Sequence, residues 1–276
     1  SSIRSMSKSL KFGIIQGRLT NSPPGCLQWF PQNEWQDEFH KASELGINFI
    51  ELIAEINHNP NNPIWTDQGL NKIKQLTLNN NLSLHSLCND YIIEHNINDD
   101  KVIEQNLNLL KQCSKIGIKK YIMPFFEKSE INSKNYNEFI STITMIADEA
   151  EKLNISLSLE TILTGKELLN LLELVNHKNI KIVYDTGNRV AFGHDLSGDI
   201  ELLSQNINHI HIKDKNIKND NVLLGTGLVN FHDVFQSLIK IKYKGSYVFE
   251  TTRGKYPMKT AAYNMQLVNF FVENLT

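Results

Sequence analysis

Along the chain, short apolar and β-branched runs alternate with longer stretches whose apolar residues recur at helical spacing. Strand starts fall near Phe12, Asn48, Leu82, Lys119, Ile155, Ile180, Asn208 and Ser246, separated by 36, 34, 37, 36, 25, 28 and 38 residues. Between them, Trp35, Phe39, Ala42 and Leu45 follow i, i+4, i+7, i+10, and Ile103, Leu107, Leu110 and Cys113 repeat the pattern, so each such helix carries one apolar face. Gly46, Gly117 and Gly245 stand between a helical pattern and the next strand, where a residue tolerant of positive φ ends a helix cheaply; Asn154 serves similarly. Thr164 and Glu167 form a T-x-x-E capping box ahead of Leu168, Leu171, Leu172 and Val175.

Strand and helix repeated eight times with short returns predict an α/β fold, a (β/α)₈ TIM barrel in a single domain. An open doubly wound sheet is the rival architecture, but no G-x-G-x-x-G follows the first strand, which removes its usual dinucleotide-binding form. The long connections, at 17–32, 54–67, 88–97, 186–198 and 214–230, all follow strands. In a barrel they gather at the carboxyl face, where barrel enzymes do their chemistry.

Composition agrees with this and narrows the partners. At 276 residues, about the size of one barrel, the chain divides into residues 1–10, an N-terminal extension or expression remnant, and a catalytic barrel over 11–276. Residues 1–11 lack the apolar core of a signal peptide, and no apolar run approaches the roughly 18 residues that span a bilayer. Against 28 Lys and Arg stand 30 Asp and Glu, so the net charge of −2 gives no broad basic surface for nucleic acid. Three cysteines, Cys26, Cys88 and Cys113, without C-x-x-C spacing fit free thiols and a cytoplasmic location.

Strand parity decides which side chains enter the lumen. In the fifth strand Ile155, Leu157 and Leu159 form the apolar set and must face the helices, so Glu160 points into the mouth. The same rule sends His209, His211 and Lys213 inward on the seventh strand, and Ser246, Val248 and Glu250 inward on the eighth; Asp185 is the last residue of the sixth. Glu160, Asp185, His211 and Glu250 therefore end four successive strands. Three carboxylates gathered in a partly dehydrated mouth repel one another unless a cation neutralises them. Mixed oxygen and imidazole donors suit one divalent ion; a carboxylate-rich set favours Mn²⁺, with Mg²⁺, Co²⁺ and Zn²⁺ the other candidates.

Gln16 and Arg18 end the first strand, Arg253 follows the last and Lys213 shares the parity of His211; this cationic ring suits a phosphate, a carboxylate or sugar hydroxyls. Alternatively, Arg18 and Arg253 pair with lumen carboxylates such as Glu51. His85, at the end of the run Ser83, His85, Leu87, is a candidate hydrogen-bond partner of substrate or a satisfied lumen histidine. Gly225 and Gly227 suggest main-chain N–H groups open to an anion. Cys88 has no base beside it, which argues against a thiol nucleophile. His40, His58, His95, His177, His194 and His232 fall on helices or loops, as solvated or capping residues. Trp29 and Trp65 are candidate lids or contacts of a homo-oligomer.

Several motifs are shared with known proteins: Phe12-Gly-Ile-Ile-Gln16-Gly-Arg18-Leu19, Leu159-Glu160-Thr161, Tyr184-Asp185-Thr186-Gly187-Asn188, His209-Ile-His211-Ile-Lys213-Asp214-Lys215, Leu224-Gly225-Thr-Gly227 and Phe249-Glu250-Thr251-Thr252-Arg253. With them the sequence resembles the xylose isomerase-like barrel superfamily, in its sugar-phosphate isomerase/epimerase group, from about Lys11 to the last helix. The resemblance implies that Glu160, Asp185, His211 and Glu250 are the metal quartet, with Glu160 and Glu250 the acid/base pair on opposite sides of a sugar. Where many relatives carry a histidine after the Asp-Thr pair, this chain has Asn188, which is counted with the substrate-facing residues and disfavours a three-zinc endonuclease.

The implied activity is a metal-dependent sugar or sugar-phosphate isomerase or epimerase acting through an enediolate by glutamate-mediated proton transfer. A metal-dependent dehydratase of a polyol or keto-sugar begins with the same proton abstraction, and an apurinic-endonuclease-like hydrolase is the nucleic-acid alternative. A barrel that only binds carbohydrate has no need of two opposed proton carriers.

Overall fold

A computed structural model describes residues 11–275. The proposed extension over residues 1–10 lies outside them. Eight parallel strands, β1 (Lys11–Ile15), β2 (Phe49–Ala54), β3 (Ser86–Asn89), β4 (Lys120–Pro124), β5 (Ser156–Glu160), β6 (Ile180–Asp185), β7 (Ile207–Ile212) and β8 (Ser246–Phe249), form a sheet that closes when β8 pairs with β1. That closure excludes the open doubly wound alternative.

Outside the sheet lie α1 (Asp37–Glu44), α2 (Asp67–Asn79), α3 (Tyr91–Glu94), α4 (Asp100–Lys115), α5 (Tyr136–Lys152), α6 (Gly165–Val175), α7 (Thr186–Ala191), α8 (Leu196–Leu203), α9 (Phe231–Lys240) and α10 (Pro257–Asn274). Their apolar faces meet the outward side chains of the strands. Phe12 stacks on Tyr247 and Phe249, for example, and Phe235 of α9 lies against Tyr247.

The lumen is the other layer. Phe49 fills its lower part, and a Cβ on Gly13, its register partner in β1, would lie 2.3 Å from the Phe49 ring, so glycine is required there. Between β6 and β7 the register shifts, Ile182 facing Ile207 while Val183 faces His209. The extra residue, Asn208, turns its amide to Ser156 and Ser158 of β5, and the bulge restores inward parity for His209 and His211.

Four expectations need correction. β3 begins at Ser86 and not near Leu82, because the preceding segment makes only an isolated bridge, Ser83 to Phe49, before the strand is paired on both sides. On α4 the buried face runs through Val102, Asn106, Leu109, Leu110 and Cys113, not through Ile103 and Leu107; Asn106 is drawn inward by Asn89 and Tyr121. Gly46, Gly117 and Asn154 do take positive φ, but Gly245 does not: Lys242 adopts it instead, at φ 56°. Gly245 is needed for space, since a Cβ would lie 2.6 Å from the Asn208 carbonyl oxygen. Of the six outlying histidines, His194 is packed against Asp199 and neither solvated nor capping, whereas His177 caps a turn, its Nδ1 accepting the main-chain N–H of Asn179 at 3.1 Å. The capping box stands as expected, with Thr164 and Glu167 each bonding the other's main-chain N–H.

Candidate active site

Glu160 and Asp185 are the last residues of β5 and β6, His211 is the penultimate residue of β7, and Glu250 follows β8 directly. Each offers one ligand atom within 4.8 Å of the other three, and all four residues are buried. His211 sits at the centre. Its Nδ1 lies 2.7 Å from Glu250 Oε2 and 3.2 Å from Glu160 Oε1, while its Nε2 lies 2.9 Å from Glu51 Oε2. Asp185 caps α7: its Oδ1 accepts the main-chain N–H of Asn188 at 2.7 Å, which fixes the carboxylate, and its Oδ2 is buried without a hydrogen-bond partner. An orphaned carboxylate oxygen beside two further carboxylates and an imidazole is what a divalent cation would satisfy, so these residues fit the ion the sequence implies.

Lys213 is the cation already present. Its Nζ lies 3.0 Å from Glu250 Oε1, 3.6 Å from Asp185 Oδ2 and 3.4 Å from the Asn188 side-chain oxygen. Burial alone would raise the Glu250 carboxyl, but Lys213 and His211 hold it well below the usual range. Burial raises Glu160, against the opposing pull of His211. Burial would likewise discharge His211, yet Glu51, Glu160 and Glu250 together hold it protonated well above the ordinary histidine range.

The remaining candidates divide between the mouth and the base of the barrel. Gln16 is buried near the mouth, its Oε1 accepting the N–H of Ile53 at 3.1 Å. His85 lies below it, at the amino-terminal end of the lumen, where Nε2 is 3.0 Å from Ser246 Oγ and the ring leans on Phe49. It stands a layer away from the quartet. Arg18 and Arg253 do not pair with Glu51. Arg18 bonds the carbonyls of Thr251 and Leu27; Arg253 bonds those of Gly17, Thr20, Cys26 and Leu27, so both guanidinium groups pin the loop after β1 to the end of β8. Gly17 is part of that fastening, with φ 95° and the Trp29 carbonyl oxygen 1.9 Å from where a Cβ would lie.

The glycine loop after β7 is not open to an anion. The Asp214 carboxylate already occupies it, accepting the N–H groups of Lys215, Gly225 and Gly227 at 2.9 Å and of Val229 at 3.1 Å. Across the mouth, the loops after β1, β2 and β3 enclose a cavity of about 490 Å³ lined by Gln28, Trp29, Phe30, Ile53, Glu55 and Asp90 among others. Trp29 thus belongs to the mouth, while Trp65 packs on His58. The expectation that Cys88 has no base beside it needs correction, since its thiol donates to Asp90 Oδ1 at 3.4 Å; burial, and then Asp90, nevertheless raise the thiol well above the ordinary range, which argues against a nucleophile.

Three acidic residues at or below the mouth carry roles the motifs did not assign. Asp90 is buried, bonded to Gln28 at 3.1 Å, and pushed up to about 7 by burial and then by Glu250. Glu38 of α1 accepts the N–H groups of Gly17 and Leu19 and so holds the first loop from outside. Glu51 bridges His209 and His211. Only Glu51 left a trace in the sequence, as a lone charge at an inward position of the otherwise apolar Phe49–Ala54.

A family described as the xylose isomerase-like TIM barrel matches residues 39–269, which include the whole quartet. The chain belongs to that family. A ketose 3-epimerase of Arthrobacter globiformis is 30% identical over 142 residues, covering 49% of this chain and 46% of that protein. The chain thus spans about half the length of that relative. Among solved structures, D-psicose 3-epimerase with D-tagatose from Clostridium cellulolyticum H10 superposes with a TM-score of 0.78 at 18% identity, covering 95% of this chain and 99% of the other. A xylose isomerase-like TIM barrel protein from Mycobacterium smegmatis in complex with magnesium gives 0.72 at 16% identity, covering 96% and 97%. At these identities the structural likenesses speak for the shared barrel.

Proposed function

We propose that the protein is a divalent-metal-dependent epimerase of a ketose, inverting the carbon next to the carbonyl, with ketose–aldose isomerisation the other outcome of the same proton abstraction. The observation that carries this reading is Asp185 Oδ2, buried without a hydrogen-bond partner in a quartet whose two glutamates arrive from β5 and β8. The naming of the A. globiformis relative as a ketose 3-epimerase supports carbon 3 as the reacting centre.

Glu160, Asp185, His211 and Glu250 would hold the ion, with Mn²⁺ favoured by the three carboxylates over Mg²⁺, Co²⁺ or Zn²⁺. When bound, the ion supplies positive charge that acidifies the C–H beside the sugar carbonyl and offsets the charge gathering on the sugar oxygens. One glutamate removes the proton from one face and the other returns a proton to the opposite face. Lys213 steadies the Glu250 carboxylate, and Gln16 and Asn188 border the space for sugar hydroxyls. The cavity between Trp29 and Asp90 receives the part of the sugar remote from the reacting carbon, its aromatic walls excluding water.

Chelated enzyme assayed on a ketose panel should be inactive and recover on adding Mn²⁺. In D₂O the loaded enzyme should place deuterium at the inverted carbon. Glu160→Gln and Glu250→Gln should each lower kcat by roughly 10²–10⁴. Activity that persists after chelation, or in both variants, would refute the reading.

A further inference from the structure

Beneath the quartet a chain of polar groups runs down the lumen, and its donors and acceptors can be counted. Glu51 is fully buried and faces three partners: Oε1 lies 2.6 Å from His209 Nε2 and 2.8 Å from Ser86 Oγ, and Oε2 lies 2.9 Å from His211 Nε2. A carboxylate offers acceptors only, so each of the three must donate. Nε2 of both histidines therefore carries a hydrogen.

The order continues downward. Burial keeps His209 neutral, and with Nε2 carrying the hydrogen its Nδ1 then accepts from Ser246 Oγ at 2.6 Å, which leaves that hydroxyl oxygen to accept from Lys120 Nζ at 2.8 Å and from His85 Nε2 at 3.0 Å. Three donors thus hold the Glu51 carboxylate by both oxygens. Its upper oxygen sets the plane of the His211 ring, whose Nδ1 lies among Glu160 Oε1 and Glu250 Oε2.

We propose that Glu51 is a positioning residue for the metal centre: by accepting from Nε2–H of His211 it fixes the ring so that Nδ1, which carries a proton toward Glu250 and Glu160 here, would present its lone pair to an ion once that proton leaves, with His209 and Ser86 buttressing Glu51 from below. The inference rests on reading the quartet as a metal site. It extends that reading to a residue that touches neither ion nor sugar. A carboxylate behind a ligating imidazole orients the ring and strengthens its basicity, and removing such a partner commonly costs 10–100-fold in metal affinity.

The test is Mn²⁺ binding by titration calorimetry on wild type, Glu51→Met and Asp185→Asn. Glu51→Met removes the acceptors at similar side-chain length, and its Mn²⁺ dissociation constant should rise by roughly 10–100-fold. A constant within twofold of wild type, while Asp185→Asn loses binding, would overturn the positioning role and leave the metal reading intact. Wild type that binds no Mn²⁺ overturns the metal reading and this inference with it. Should Glu51→Met not fold, the Mg²⁺-loaded wild type decides by ¹⁵N NMR of the histidine rings: His211 protonated on Nε2 with Nδ1 unprotonated is the expected signature, and a proton on Nδ1 overturns the proposal.

Discussion

Asp214 offers the most direct quantitative test of how the mouth is built. Its carboxylate accepts four main-chain N–H groups, Lys215 and Val229 on Oδ1 and Gly225 and Gly227 on Oδ2, and the residue is 1% exposed. Asp214→Asn keeps the shape but replaces one acceptor oxygen with an NH₂ group, leaving two N–H groups facing a donor. At about 1–3 kcal/mol for each stranded donor, the closed loop loses roughly 3 kcal/mol.

That loss has two outlets. If the loop unfolds with the barrel, the melting temperature falls by roughly 6–12 °C, at about 2–4 °C per kcal/mol for a chain of this size. If it opens alone, the open population rises about 100-fold and trypsin cleaves at Lys215 or Lys218 correspondingly faster. Scanning calorimetry and timed proteolysis on the same samples read both. Unchanged melting together with unchanged cleavage would show that the four N–H groups do not depend on Asp214, and the account of the glycine loop would be wrong.

Burial holds the Glu38 carboxyl up at about 7 against the opposing N–H groups of Gly17 and Leu19, whereas an unconstrained glutamate titrates near 4.5. The folded state then keeps a proton the unfolded chain releases, so the stability from Glu38 is greatest below about 4.5 and is lost as pH rises through about 7. Glu38→Gln should therefore gain on wild type between pH 5 and 8, by up to about 3 kcal/mol in urea unfolding, and parallel profiles would contradict this. Thr164→Ala breaks the capping box at the start of α6 and should cost about 1 kcal/mol, or 2–4 °C by calorimetry, whereas an unshifted transition would mean the cap adds nothing. Mn²⁺ at a hundred times its dissociation constant should stabilise wild type by about 2.7 kcal/mol, and Asp185→Asn should lose most of that gain, since the substitution removes a carboxylate charge from the quartet.

Much was legible in the sequence because strand geometry repeats every two residues and helix geometry every 3.6. Once Ile155, Leu157 and Leu159 must face helices, Glu160 has one direction left, and the same arithmetic turns His211 and Glu250 inward. Closure of the barrel then made neighbours of side chains that end successive strands. The capping box and the left-handed Gly46, Gly117 and Asn154 were equally local, since each depends on a few adjacent residues.

Tertiary structure decided what those side chains do with their hydrogen bonds. Arg18 and Arg253 fasten main-chain carbonyls, Asp214 occupies the glycine loop, and His85 lies at the base of the lumen because Ser246 and Phe49 meet it there. Glu51 meets His209 and His211 across 158 and 160 residues of sequence. No local pattern encodes such partnerships. Periodicity fixes the face on which a residue lies, but a charge or a donor is satisfied by whatever the closed fold brings within about 3 Å, and that depends on the whole chain at once.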